Sequence, residues 1–119
     1  MDEKLSWVYM TCGSLDEARK LGQVLLEKNL AACVNILDGM RSLYRWEGAV
    51  QEDQESVLIA KTRHELMDEL TETVKSNHSY ECPSIIELPI DGGNPEFLQW
   101  IVSETKGGSK NRTDQKSQN

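Results

Sequence analysis

Residues 31 to 62, AACVNILDGMRSLYRWEGAVQEDQESVLIAKT, read as two extended arms joined by a turn, and the length of those arms limits every fold open to the chain. Ala32, Val34, Ile36, Met40, Tyr44 and Trp46 share one parity, the two-residue period by which a strand presents a single apolar face. The return arm closes on Val57-Leu58-Ile59-Ala60, apolar on both parities, which predicts cover on both sides. Asp38-Gly39 marks a kink or bulge in the first arm and Glu47-Gly48 the tip. At about 3.3 Å per residue an arm of about 15 residues spans about 50 Å, whereas a usual strand has about 5 to 6 residues. A helix of about 14 residues reaches only about 20 Å. The helices this chain can form therefore leave the tip bare, with Leu43, Tyr44, Trp46 and Val50 in water. An apolar patch of that extent is rare on a lone subunit, so a second copy of the chain is expected to cover it.

The flanking sequence supplies the other elements. Ser6 to Cys12 is a short β-rich run ended by Gly13. Ser14 three residues before Glu17 forms a reciprocal helix-capping pair, followed by Leu15, Ala18, Leu21, Gly22, Leu25 and Leu26 at helical spacing, with Asn29 as the stop. Leu66, Met67, Leu70 and Val74 predict a second amphipathic helix over residues 63 to 77. A last strand is expected over Tyr80 to Ile90, at a sheet edge because Pro83 and Pro89 cannot donate ladder hydrogen bonds. Asn94-Pro95 then caps a short helix carrying Phe97, Leu98, Ile101 and Val102. The order βαββαβα predicts an α+β, ferredoxin-like split βαβ sandwich over residues 1–105, with a long hairpin and a C-terminal helix. Residues 106–119 hold no apolar side chain and are expected to be a disordered polar tail.

The chain carries a net charge of −7; residues 106 to 119 hold four cations against one acid, or +3, which leaves −10 on the body. So acidic a body repels phosphate, which argues against nucleic acid and anionic membranes as partners and favours cations. Three cysteines without a CxxC spacing make no disulfide framework and suit free thiols in a reducing compartment. No apolar run approaches the roughly 20 residues of a membrane span, and MDEKLSW lacks a signal-peptide core. The cytoplasm is the expected location. The sequence has no Walker loop, HExxH, GxGxxG or triad spacing, so no enzyme activity is expected.

Several segments together carry a resemblance: Leu30-Ala31-Ala32-Cys33-Val34-Asn35, Gly39, Ser42-Leu43-Tyr44-Arg45-Trp46-Glu47-Gly48, Glu55, Lys61-Thr62, His78-Ser79-Tyr80-Glu81-Cys82-Pro83 with Ile85-Ile86, and Leu98-Gln99-Trp100-Ile101. In these the chain resembles the CutA, or divalent-cation tolerance, family. The resemblance implies a ferredoxin-like subunit in a tight homotrimer, tolerance to copper and other divalent metals, and an architecture like that of the PII signalling trimers. It places copper ligands on Cys12, Asn77 and His78, of which the amide is a poor match. A thiolate and an imidazole suit copper, and a third donor would come from Cys82, Glu81 or another subunit. The plain alternative is that Cys12, Cys33 and Cys82 are small apolar side chains and His78 a helix-end residue. The resemblance also implies a cleft between subunits lined by Trp46, Glu47, Lys61, Tyr80 and Glu81. That cleft would take a small ligand or partner protein, or else hold a Lys61–Glu pair that sets the trimer's register.

Overall fold

The computed structural model describes residues 3–108. Strand β1 (Leu5–Cys12) leads through helix α1 (Leu15–Glu27) to the hairpin β2 (Cys33–Trp46) and β3 (Ala49–Arg63). A 3-10 turn at His64–Leu66 opens helix α2 (Met67–Asn77), and strand β4 (Ile85–Ile90) and helix α3 (Pro95–Ser103) follow. The sheet is antiparallel in the order β2-β3-β1-β4. This is the ferredoxin-like arrangement, with β4 at one edge, as Pro89 within it favours. Val8, Met10, Cys12, Leu58 and Ala60 face α1 and α2 and pack with Leu21, Leu25, Leu70 and Val74 into the main core. A smaller core lies on the other face, where Ile101 and Val102 of α3 meet Leu5. Among the described residues no helix is long and apolar enough to cross a membrane.

The hairpin has arms of 14 and 15 residues and turns at Glu47 (φ 50°) and Gly48 (φ 81°), the paired positive dihedrals that suit a two-residue hairpin turn. It makes the molecule 53 Å long against 26 and 24 Å in the other directions. Among the described residues no helix reaches its tip, where Leu43 is 67% exposed, Trp46 61% and Val50 63%. The bulge forms where expected, but it changes the faces. Asp38 and Gly39 together oppose Ser56, so Met40 pairs with Glu55 instead of continuing the register of Leu37 with Val57. Met40 therefore leaves the face of Val34 and Ile36 and receives the Tyr9 hydroxyl at 3.3 Å on the other side. The single parity read along the whole first arm holds only up to the bulge.

Two other expectations are corrected. The last strand begins at Ile85, not at Tyr80. Before it, the Ser79 and Tyr80 N–H groups donate to the side chains of Glu17 and His78, and Pro83 has none to give a ladder. The capping pair is only half made: Ser14 accepts the Glu17 N–H at 3.1 Å, while the Glu17 carboxylate turns to Gly13 and Ser79. Of the expected tail, Lys106 donates its N–H to the Asn29 carbonyl and its Nζ to Glu69, and residues 109–119 lie outside the described residues.

Candidate metal centre

Cys12 is the last residue of β1 and its side chain points under the helices, fully buried. One residue later Gly13 breaks the strand, so that Ser14 caps α1 and Glu17 falls in the first helical turn. His78 is the C-cap of α2, where the backbone returns to extended geometry and swings its ring back over the end of β1. The three elements converge so that a Cys12 sulfur, a Glu17 oxygen and a His78 nitrogen all lie within 4.8 Å of one another.

Glu17 and His78 are oriented by backbone groups. The Gly13 N–H donates to Glu17 Oε1 at 2.9 Å and the Ser79 N–H to Oε2 at 2.6 Å. His78 Nε2 stands 2.8 Å from the Thr11 carbonyl, which can only accept, so Nε2 carries the proton. Nδ1 is then the acceptor, taking the Tyr80 N–H at 3.0 Å, with Glu17 Oε2 at 3.7 Å. Burial, and then the charges of Glu17 and Glu55, push the Cys12 thiol up to about 12. For Glu17, burial works upward but is outweighed by the N–H groups of Gly13 and Ser79 and by His78, so the carboxyl titrates below its usual range. Burial and the hydrogen bond to Glu55 raise the Tyr80 phenol.

Thiolate, imidazole and carboxylate together suit zinc or copper better than a hard cation. With metal–ligand bonds of about 2.0–2.3 Å, tetrahedral donors stand about 3.5 Å apart. Cys12, Glu17 and His78 would therefore close by up to about 1.3 Å around an ion, and the thiol would lose its proton.

The other sequence candidates divide. Asn77 turns its amide back along α2 to the Thr73 carbonyl at 2.8 Å and does not join the cluster. Glu17 is the third potential donor that the fold brings to Cys12 and His78, whereas Glu81 and Cys82 are exposed in the following loop. Glu17 escaped the sequence reading because a Glu three residues after Ser14 was fully explained as a cap; its signal was its place five residues after a strand-ending cysteine. The residues expected to line a cleft do not meet within one subunit. Tyr80 lies beside His78, with ring centroids 4.7 Å apart. Lys61 sits in the register row of Cys33 and Trp7, donates to Asn35 Oδ1 at 2.5 Å and lies 6.0 Å over the Phe97 ring. Trp46 and Glu47 are at the hairpin tip, about 40 Å from Lys61 along β3.

The fold and the donor cluster together define a small ferredoxin-like domain with a candidate cation site at one end of its sheet. The chain belongs to the family of the CutA1 divalent ion tolerance protein, whose profile matches residues 6–104. It is 48% identical over 99 residues to the chloroplastic Protein CutA 1 of Oryza sativa subsp. japonica, covering 83% of this chain and 56% of that protein. It is 46% identical over 98 residues to the divalent-cation tolerance protein CutA of Thermus thermophilus, covering 82% of this chain and 95% of that one. The solved structure of CutA1 from Oryza sativa superposes with a TM-score of 0.87 at 45% identity, over 88% of this chain and 96% of that chain. The chain thus spans little more than half the length of the plant relatives it matches.

Proposed function

We propose that this protein binds copper or another divalent metal ion through Cys12, Glu17 and His78 and contributes to metal tolerance as a non-catalytic homotrimer in the cytoplasm. The observation that carries the reading is the convergence of three different donor types, from three separate elements, within 4.8 Å. Family membership and the acidic body support it. Three free thiols suit a reducing compartment. The trimer accounts for the bare apolar tip of the hairpin, which none of the described residues of one subunit covers. Equilibrium titration with Zn²⁺ and with copper tests the site: Cys12→Ala and His78→Ala each weaken binding on the order of a hundredfold, as loss of a ligand requires. Equal affinity in the wild type and both variants refutes it.

A second reading follows from the separation of Lys61 from Trp46 and Glu47. Those residues can line one cleft only if different copies supply them, which is the arrangement of a PII-like signalling or scaffold trimer taking a small ligand or partner protein. Under this reading Lys61→Ala abolishes ligand capture and leaves metal uptake intact.

A further inference from the structure

The cluster of Cys12, Glu17 and His78 is closed. Cys12 and the His78 ring have no solvent exposure at all, and the Glu17 side chain keeps only 15%. Tyr80 lies across it. Its ring lies tilted against His78 at an interplanar angle of 48°, and its Cε1 and hydroxyl stand 3.5 Å from the place a Cβ would take on Gly13, directly after Cys12. The hydroxyl donates to Glu55 Oε2 at 2.7 Å, and the other oxygen of Glu55 accepts from Ser42 at 2.5 Å. One end of this contact thus belongs to the loop after α2 and the other to the hairpin beside its bulge.

We propose that Tyr80 is a latch over this site, held shut by Glu55, and that a divalent ion enters only when the latch opens. This rests on the cation reading above. The wiring of His78 makes entry and opening one motion. Its Nε2 is committed to the Thr11 carbonyl, so an incoming ion takes the Nδ1 lone pair and displaces the Tyr80 N–H that now occupies it. The residue displaced from the imidazole is the one whose ring covers it. Residues 78 to 84 belong to neither helix nor strand, so this loop can swing without breaking a ladder. Opening also releases Glu55, which makes the hairpin respond to the ion.

Two measurements test the latch, and the first uses no metal. N-ethylmaleimide labelling of the full chain, resolved by peptide mass spectrometry, reads Cys12 against the exposed Cys82 as internal reference. Tyr80→Phe keeps the ring and removes only the hydroxyl, and should speed Cys12 labelling about tenfold, the weight of one hydrogen bond to a partly exposed carboxylate. Glu55→Ala removes the same bond and also a charge that holds the Cys12 thiol up, so it should label at least as fast, and adding Tyr80→Phe to it should bring no further gain. The second measurement follows Zn²⁺ association by stopped flow, with the same acceleration expected in Tyr80→Phe. Unchanged Cys12 labelling in Tyr80→Phe overturns the latch, whatever the metal titrations give. Faster labelling combined with Zn²⁺ binding indifferent to Cys12→Ala and His78→Ala overturns the cation reading, and with it the claim that an ion is what the latch admits.

Discussion

The buried thiol makes a prediction that needs no metal. Cys12 is pushed to about 12 by burial and by the charges of Glu17 and Glu55, against 9.0 for an ordinary thiol. In the unfolded chain the thiol ionises from pH 9 upward, while in the folded protein it keeps its proton until about 12. Between these limits the folded state binds one more proton than the unfolded state. This stability is complete below the unfolded value and is lost as pH rises, at no more than about 1.4 kcal/mol per pH unit. By pH 10.5 the loss reaches about 2 kcal/mol, with some reduction for relaxation and water entry around the thiolate. Urea unfolding of the wild type and of Cys12→Ala at pH 7.5, 9 and 10.5, at one protein concentration, isolates the effect. Apart from Tyr80, to whose raised phenol Cys12 is the smallest contributor, the groups that titrate in this range have no contribution from Cys12, so the stability gap between the proteins should shrink by about 2 kcal/mol. A gap constant to within about 0.3 kcal/mol would refute the placement of Cys12 in a desolvated, negatively flanked pocket.

Two further outcomes follow from side chains outside the site. Arg63 is 2% exposed and binds Thr105 Oγ1 at 2.9 Å, the Lys106 carbonyl, Glu65 and Glu3, so it ties both ends of the described chain to β3. Arg63→Ala should cost about 3 kcal/mol, read as a fall of about 12–20 °C in Tm; a loss under about 1 kcal/mol would mean that these contacts hold nothing. Replacing Leu43, Trp46 and Val50 together by Ser removes the exposed apolar tip, where burial of each large side chain is worth about 1.5–3 kcal/mol. Light scattering should then report the 13.5 kDa of one chain in place of three times that mass. A wild type that is itself a stable single chain would refute the assembly.

The hairpin was legible because its signals are local: alternation in the first arm, which holds up to the bulge, Asp38-Gly39 for the bulge and Glu47-Gly48 for the turn, both of which form. The consequence of the bulge for Met40 was not legible in a simple parity count, because an extra residue reverses every later side chain and its register is fixed only by the partner strand. Tyr80 misled in another way. A run of β-prone residues reads as strand, but here the loop's N–H groups find side-chain acceptors on Glu17 and His78, which stand 61 residues apart in sequence. Cys12 and His78 could be named from the resemblance, whereas Glu17 was passed over, because its place after Ser14 already explained it as a cap and its spacing from Cys12 went unread.

Glu17 shows why the resting geometry and the proposed function need each other. A carboxylate that accepts the N–H groups of Gly13 and Ser79 already fixes the junction of β1, α1 and the loop after α2, so the cluster would be a sound structural knot without any ion. A knot alone, however, leaves the Cys12 thiol unexplained. An alanine or valine would fill that place without a thiol whose proton is held to about 12 beside two carboxylates. The sulfur gains from those carboxylates only when a cation lies between them, because each of them opposes the thiolate that forms in its absence. The same substitution therefore separates the two roles: Glu17→Gln keeps acceptor capacity at the knot on one oxygen only but removes the charge, so it should lower Cys12 toward its ordinary range while weakening Zn²⁺ binding. A purely structural cluster would show the first change and have no second to lose.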